Sequence, residues 1–222
     1  IDFVADLQTQ RGEIIWARHA DGTPWSYALL TGSSSTSHSM RAALAIADLL
    51  GHERPRWELA VARLCHVIAT QPEAFTPKDR WAMDWYYPVL AGVVGGDAGL
   101  EMLAAREHEF AVPDRGIRCV SDREWITTAE TCECAIAYLS LGQRHRALEL
   151  FESVQEYRDN EGRYLTGVVY PDKESFPEAE RSTYSAAAVI LAADALSGTS
   201  PAAGLFTDHS LLPRPGLAPD PS

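Results

Sequence analysis

The sequence predicts an all-α chain built as an α/α toroid, a barrel of helical hairpins, with an incomplete ring. Three observations lead there. Four long apolar-periodic segments each stop at a glycine: Gly51, Gly95 or Gly96, Gly142 and Gly198. A glycine just past a helix takes the left-handed conformation at no steric cost. The first three segments are each followed by a short turn and a second, more charged helix. The closing glycines recur at spacings of 44, 47 and 56 residues, a period that marks repeated helical hairpins.

The elements follow in order. SSTSHSMRAALAIADLLG pairs with RWELAVARLCHVIATQ, WAMDWYYPVLAGVVGG with AGLEMLAAREHEF, and TTAETCECAIAYLSLG with HRALELFESVQEYR. STYSAAAVILAADALSG has no long partner after it. The first helix of each pair is Ala- and Leu-rich and suits an inner ring. The second carries a solvated charged face and suits an outer one. Turns within hairpins are short, whereas the connections between them, such as DNEGRYLTGVVYPDKESFPEAER, are long. Long connections are commonly functional. Each enters the N-terminal end of an inner helix, so the elaboration gathers at one mouth. An open solenoid is the competing arrangement. Residues 1–206 are expected to form one partial toroid domain, and 207–222 a Pro-rich tail. The chain opens IDFVADLQTQ, without methionine and already helical in character, so an N-terminal truncation is expected.

Composition narrows the function. The 222 residues carry a formal net charge of −12, which disfavours nucleic acid and anionic membranes. No apolar run reaches the roughly 20 residues of a membrane span, and no signal peptide is visible. Cys65, Cys119, Cys132 and Cys134 form no CxxC pair and are expected as reduced, mostly buried thiols of a cytoplasmic protein. No metal or cofactor motif appears. The phosphate-loop lysine, HExxH and GxSxG are all missing.

The mouth holds aromatic residues and acids, including four of the six tryptophans. The expected catalytic residues are Asp84, set among aromatics in DRWAMDWYYPVL, and Glu130. The expected substrate-binding residues are Trp25, His38, Arg41, Trp81, Trp85, Tyr86, Arg118, Trp125, Glu133, Tyr170 and Tyr184. Glu133 lies one turn after Glu130, so the two acids share a face. Plainer roles compete with these. Ser34, Ser35, Thr127 and Ser182 suit helix N-caps, Thr127 with Glu130 suits a capping box, and Asp84 suits the first turn of a helix running through Pro88. His38 suits packing, and the aromatics suit a core.

The segments LLTGSSSTSHSMRAALAIADLLG, DRWAMDWYYPVLAGV, GIRCVSDREWITTAETCE, YLTGVVYPD and AAAVILAADALSG resemble a family of mostly actinobacterial proteins. That family is labelled prenyltransferase-like, within the terpenoid cyclase and protein prenyltransferase α/α-toroid group. The resemblance runs from about Gln8 to Phe206. It implies a toroid, a further N-terminal part, and isoprenoid chemistry. The group's DxDD acid motif and its zinc ligands have no counterpart here, so no catalytic residue is carried over.

Three functions are therefore expected in competition. In the first, a prenyltransferase- or cyclase-like enzyme acts on an isoprenoid. Asp84 protonates, aromatic faces stabilise a carbocation, and Arg41 and Arg118 meet a diphosphate. In the second, an α/α-barrel glycoside hydrolase acts on an oligosaccharide, with Asp84 and Glu130 flanking the scissile bond. Roughly 6.5 to 9.5 Å between the carboxylates suits inversion and about 5 to 5.5 Å suits retention. In the third, a scaffold binds a small molecule without chemistry.

Overall fold

The computed structural model describes residues 1–208 and 210–212, and the rest of the expected Pro-rich tail lies outside the described residues. The chain is mostly helical and divides into two compact units.

The first unit comprises Ile1–Lys78, Ala91–Val94 and the described C-terminal residues. Its helices are α1 (Asp2–Ala5), α2 (Leu30–Leu49) and α3 (Pro55–Thr70). Pro55 opens α3, where its missing N–H costs nothing. Ala60, Val61, Leu64, Val67 and Ile68 then line one buried face of α3 at helical spacing. That face packs in one core with Leu7, Ile14, Ala28, Met40 and Phe75. The chain between α1 and α2 folds back on itself through bridges Gln8–Ile14, Ile15–Ala28 and Arg18–Pro24. Gln8 Nε2 pins this segment by donating to Gly12 O at 2.9 Å and Ala60 O at 2.8 Å.

The second unit comprises Asp79–Leu90 and Gly95–Asp208. It contains α4 (Ala82–Leu90), α5 (Gly96–Phe110), β1 (Ala111–Val112), β2 (Gly116–Ile117), β3 (Trp125–Thr127), α6 (Thr128–Ser140), α7 (Arg144–Ser153), β4 (Gly167–Val169), β5 (Glu174–Phe176) and α8 (Thr183–Ser197). Helix α6 is buried on most of its circumference, with Thr128, Ala129, Thr131, Cys132 and the run Cys134–Tyr138 all inside. It packs against α4, α7 and α8 and is the centre of this unit. The predicted pairing of α4 with α5 and of α6 with α7 is present, as is that of α2 with α3 in the first unit.

Two expectations need correction. The chain is not all-α. The long connections carry an antiparallel β1–β2 pair and an antiparallel β3–β4–β5 sheet, in which Trp125, Ile126 and Thr127 face Val169, Val168 and Gly167. Short runs such as Trp-Ile-Thr and Gly-Val-Val are too brief for a visible alternation, yet pairing satisfies backbone groups that would otherwise be buried unmet. Ser34 and Ser35 are not N-caps. Helix α2 begins at Leu30, which places both serines inside it. Ser182, by contrast, caps α8, its Oγ accepting from Ser185 N at 3.1 Å. Among the described residues, no helix is long and apolar enough to cross a membrane.

Candidate active site

The start of α6 is held by hydrogen bonds from both flanking segments. Strand β3 runs directly into it. Thr128 N donates to Thr166 O at 3.1 Å, and Thr128 Oγ1 donates to Leu165 O at 2.7 Å. Thr131 Oγ1 donates to Thr127 O at 2.7 Å and accepts from Ile117 N at 2.9 Å. The first turn is therefore held by both flanking segments, and it carries Glu130, with Glu133 following one turn on.

Glu133 is the hub of a tyrosine cluster. Tyr86 Oη donates to Oε2 at 2.6 Å and Tyr87 Oη to Oε1 at 3.2 Å, both from α4. Tyr184 Oη, from α8, also donates to Oε1. Tyr86 is fully buried, whereas Tyr184 is 48% exposed, so the cluster opens to solvent on the α8 side. Burial raises the Glu133 carboxyl to about 7, with the nearby Glu130 charge adding to the rise and the phenol donors opposing it. Burial raises Glu130 as well. Two carboxyls one turn apart, both with low solvent access, do not ionise together cheaply, so protons stay on them at pH values where exposed carboxylates have lost theirs. The same surroundings raise the Tyr86 phenol well above its ordinary value, and burial with Glu130 raises the Cys119 thiol to about 12.

The other expected residues are placed as follows. Asp84 lies in the first turn of α4, half-buried. At about 100° per residue it points between Tyr87 and Trp85, and its charge acts on Arg106 of α5. Trp85 packs inward, its indole stacked on Phe110 at 5.3 Å and donating to Leu103 O at 3.0 Å. Trp81 is exposed beneath the Arg80 guanidinium. Trp125 stacks on Phe176 at 4.7 Å, across the three-stranded sheet. Tyr170 is buried, with Arg115 3.9 Å over its ring and its hydroxyl 3.5 Å from that of Tyr157. In the first unit, Trp25 stands 5.5 Å from Tyr27, and His38 is half-buried on α2.

The two arginines expected to meet a diphosphate are engaged by the protein. Arg41 is buried and donates to Ala91 O at 2.9 Å and to Leu212 O. Arg118 pairs with Glu124 at 2.6 Å and donates to Glu109 O at 3.1 Å. Among the described residues, no group of three or more His, Cys, Asp or Glu side chains is placed to hold a metal ion. The sequence marks Glu133 as a binding residue and places Tyr87 only among the aromatics of the mouth. Neighbouring tyrosines on one helix give no signal that both will reach one carboxylate.

No protein-family profile matches the chain. A curated relative does. The chain is 52% identical over 214 residues to the MMP endo-(1,4)-3-O-methyl-alpha-D-mannosidase of Mycolicibacterium hassiacum. The match covers 96% of this chain, and the chain spans 59% of the length of that relative. This finding overturns the prenyltransferase-like resemblance, and with it the expected isoprenoid, terpenoid-cyclase and transferase chemistry. The similarity runs to a glycoside hydrolase, the alternative that the paired acids had suggested.

Proposed function

We propose that this chain is the acid-bearing part of a glycoside hydrolase that cleaves α-1,4 linkages in a 3-O-methylated mannose oligosaccharide. The observation that carries the reading is the acid pair of α6, Glu130 with Glu133 one turn on, both with proton affinity raised by burial and with Tyr86, Tyr87 and Tyr184 hydrogen-bonded to Glu133. A glycosidase needs a carboxylic acid that is still protonated near neutral pH to give its proton to the departing oxygen. The name of the 52% identical relative supplies the linkage and the sugar.

In the proposed scheme Glu130 is the general acid. Its proton passes to the glycosidic oxygen as the bond to the anomeric carbon breaks. Glu133, fixed by its tyrosines, sets the charge beside it. Asp84 is the second carboxylate. As a base it takes a proton from the water that attacks the anomeric carbon; as a nucleophile it attacks that carbon itself, and water deprotonated by the now ionised Glu130 then displaces Asp84 from the sugar. The anomeric configuration of the first product, followed by NMR, separates the two courses. The hairpin succession is proposed to belong to an α/α toroid spanning 1–206, and four cysteines outside any disulfide suit a cytoplasmic location.

The test uses the full-length protein and a methylated mannose oligosaccharide, with new reducing ends as the readout. Glu130→Gln is expected to lower kcat by about 10²- to 10⁴-fold, the range for loss of a positioned acid, while leaving oligosaccharide binding within a few-fold. Asp84→Asn is expected to do the same. Wild-type activity on the oligosaccharide with an undiminished Glu130→Gln variant would remove Glu130 from the mechanism.

A further inference from the structure

The first unit contains a cleft of about 620 Å³ that none of the chemistry above uses. It is lined by Trp25 and Tyr27 together with Thr9, Arg11, Glu13 and Arg18. Such a volume lies within the range of small-molecule sites, which combine an apolar platform with a few fixed polar groups.

The platform consists of aromatic rings in sequence. Trp25 stands 5.5 Å from Tyr27, with the two rings tilted by 52°, and 5.7 Å from His19, which lies outside the lining. The polar end is Glu13, only 6% exposed, whose carboxylate accepts from Arg11 Nη2 at 2.7 Å and from Thr9 Oγ1 at 2.7 Å. Those donors hold its charge, and its proton affinity falls below the ordinary carboxylate value despite the opposing effect of burial. Arg18 is engaged at the Asp6 carbonyl.

The walls are fixed rather than loose. Trp25 N donates to Ala17 O at 2.9 Å, and Thr23 N donates to Asp21 Oδ1 at 2.9 Å in the turn before it. Gly12, at φ +126°, passes so close to α3 that a Cβ would stand 2.8 Å from Arg63 O. Backbone built this tightly around a cleft keeps its polar groups in position without a ligand.

The chemistry of the walls selects the ligand. Arg11 and Arg18 stand among Asp6, Glu13 and Glu73 in the lining, so the cleft has no strong excess of charge to recruit an ion. It offers the faces of two separate aromatic rings, Trp25 and Tyr27, beside a fixed set of donors and acceptors. A hexopyranose has that complementary form, with one face of C–H groups and a rim of hydroxyls. O-methylation enlarges its apolar part. We infer that this cleft is a second saccharide-binding site, taking a methylated mannose unit of the chain against Trp25 and Tyr27 with Glu13 and Arg11 on its hydroxyls. The inference rests on the glycosidase reading for the identity of the sugar, and the two can fail separately.

The experiment uses full-length protein, a methylated mannose oligosaccharide of several units, and the Trp25→Ala, Trp25→Phe and Glu13→Gln variants. KM is read on active protein, and Kd by calorimetry in a Glu130→Gln background. Trp25→Ala is expected to raise KM and Kd at least about 10-fold, the scale of losing one well-placed contact, with kcat within about 2-fold. Trp25→Phe, which keeps an aromatic face, is expected to restore most of the affinity. Glu13→Gln is expected to weaken Kd several-fold. Unchanged KM and Kd in Trp25→Ala and Glu13→Gln, with wild-type hydrolysis intact, would overturn the second site alone. Affinity lost equally in Trp25→Ala and Trp25→Phe, together with a lowered kcat and melting temperature, would assign Trp25 to packing and also overturn it. Absence of both hydrolysis and binding in the wild-type protein would remove the glycosidase reading and this inference with it.

Discussion

Glu133 shows burial and hydrogen bonding competing over one carboxyl. Its burial would cost most if it were ionised, and its tyrosine donors offset only part of that cost. The consequence for stability has a definite sign. The folded chain retains a proton that the unfolded chain releases, because the carboxyl is raised from 4.5 to about 7. Its contribution is therefore intact below about pH 4.5 and is lost as pH rises through about 7. At about 1.4 kcal/mol per unit, the loss is of order 3 kcal/mol. Urea unfolding at pH 5 and pH 8 should show wild-type protein losing stability over that interval and Glu133→Gln losing much less. Equal losses in both would mean that another group titrates. Tyr184→Phe bears on the same carboxyl from the other direction. Removing a donor that favours the ionised form should move the Glu133 titration upward, read by NMR on its carboxyl carbon. The hydroxyl is partly exposed, so water can replace it and the shift should be well under that of a buried donor.

At the scale of elements, the short strands matter more than their length suggests, because they fix where α6 begins. Gly116 of β2 is the tightest joint. It adopts φ +120°, and a Cβ there would stand 2.6 Å from Thr131 Oγ1 and 3.2 Å from Ile126 Cγ2. Thr131 is the residue whose hydroxyl ties Ile117 N to the first turn of α6. Gly116→Ala should cost about 2 to 4 kcal/mol, combining backbone strain with overpacking, and should lower kcat by displacing Glu130. A melting curve and a rate on the same preparation check both, and an unaltered melting temperature would contradict the packing described. The helices were legible in the sequence because their signals are long and redundant. Gly51, Gly142 and Gly198 each end a run of small apolar residues and each takes positive φ. The strands were not, because pairs such as Trp125 with Val169 join residues far apart in the chain. The site was legible in part for the same reason. Glu130 and Glu133 share a helix, so their spacing places them on one face. Their meeting with Tyr86, Tyr87 and Tyr184 depends on how α4, α6 and α8 pack. Likewise Trp85, set beside Asp84 in the sequence, turns to Phe110 instead, because α5 covers that side of α4.

For the molecule as a whole, the acidic balance bears on the neutral oligosaccharide proposed as its substrate. A formal net charge of −12 repels anionic ligands at long range and leaves neutral ones unaffected. The arginines that could have offset this locally are engaged. Arg41 is spent on backbone carbonyls, and Arg118 on Glu124. A methylated mannose oligosaccharide carries no charge, so its encounter with the protein gains nothing from electrostatic steering. Raising salt from about 0.05 to about 0.5 M shortens the screening length several-fold. For a neutral sugar KM should change by less than about 2-fold across that range, since stacking and hydrogen bonds at close contact are little screened. A diphosphate or other anion would behave differently, because screening would relieve its repulsion and KM would fall many-fold. Steady-state kinetics at the two salt concentrations distinguish these cases, and a steep fall in KM would overturn the neutral-sugar reading whichever acid residue proved essential.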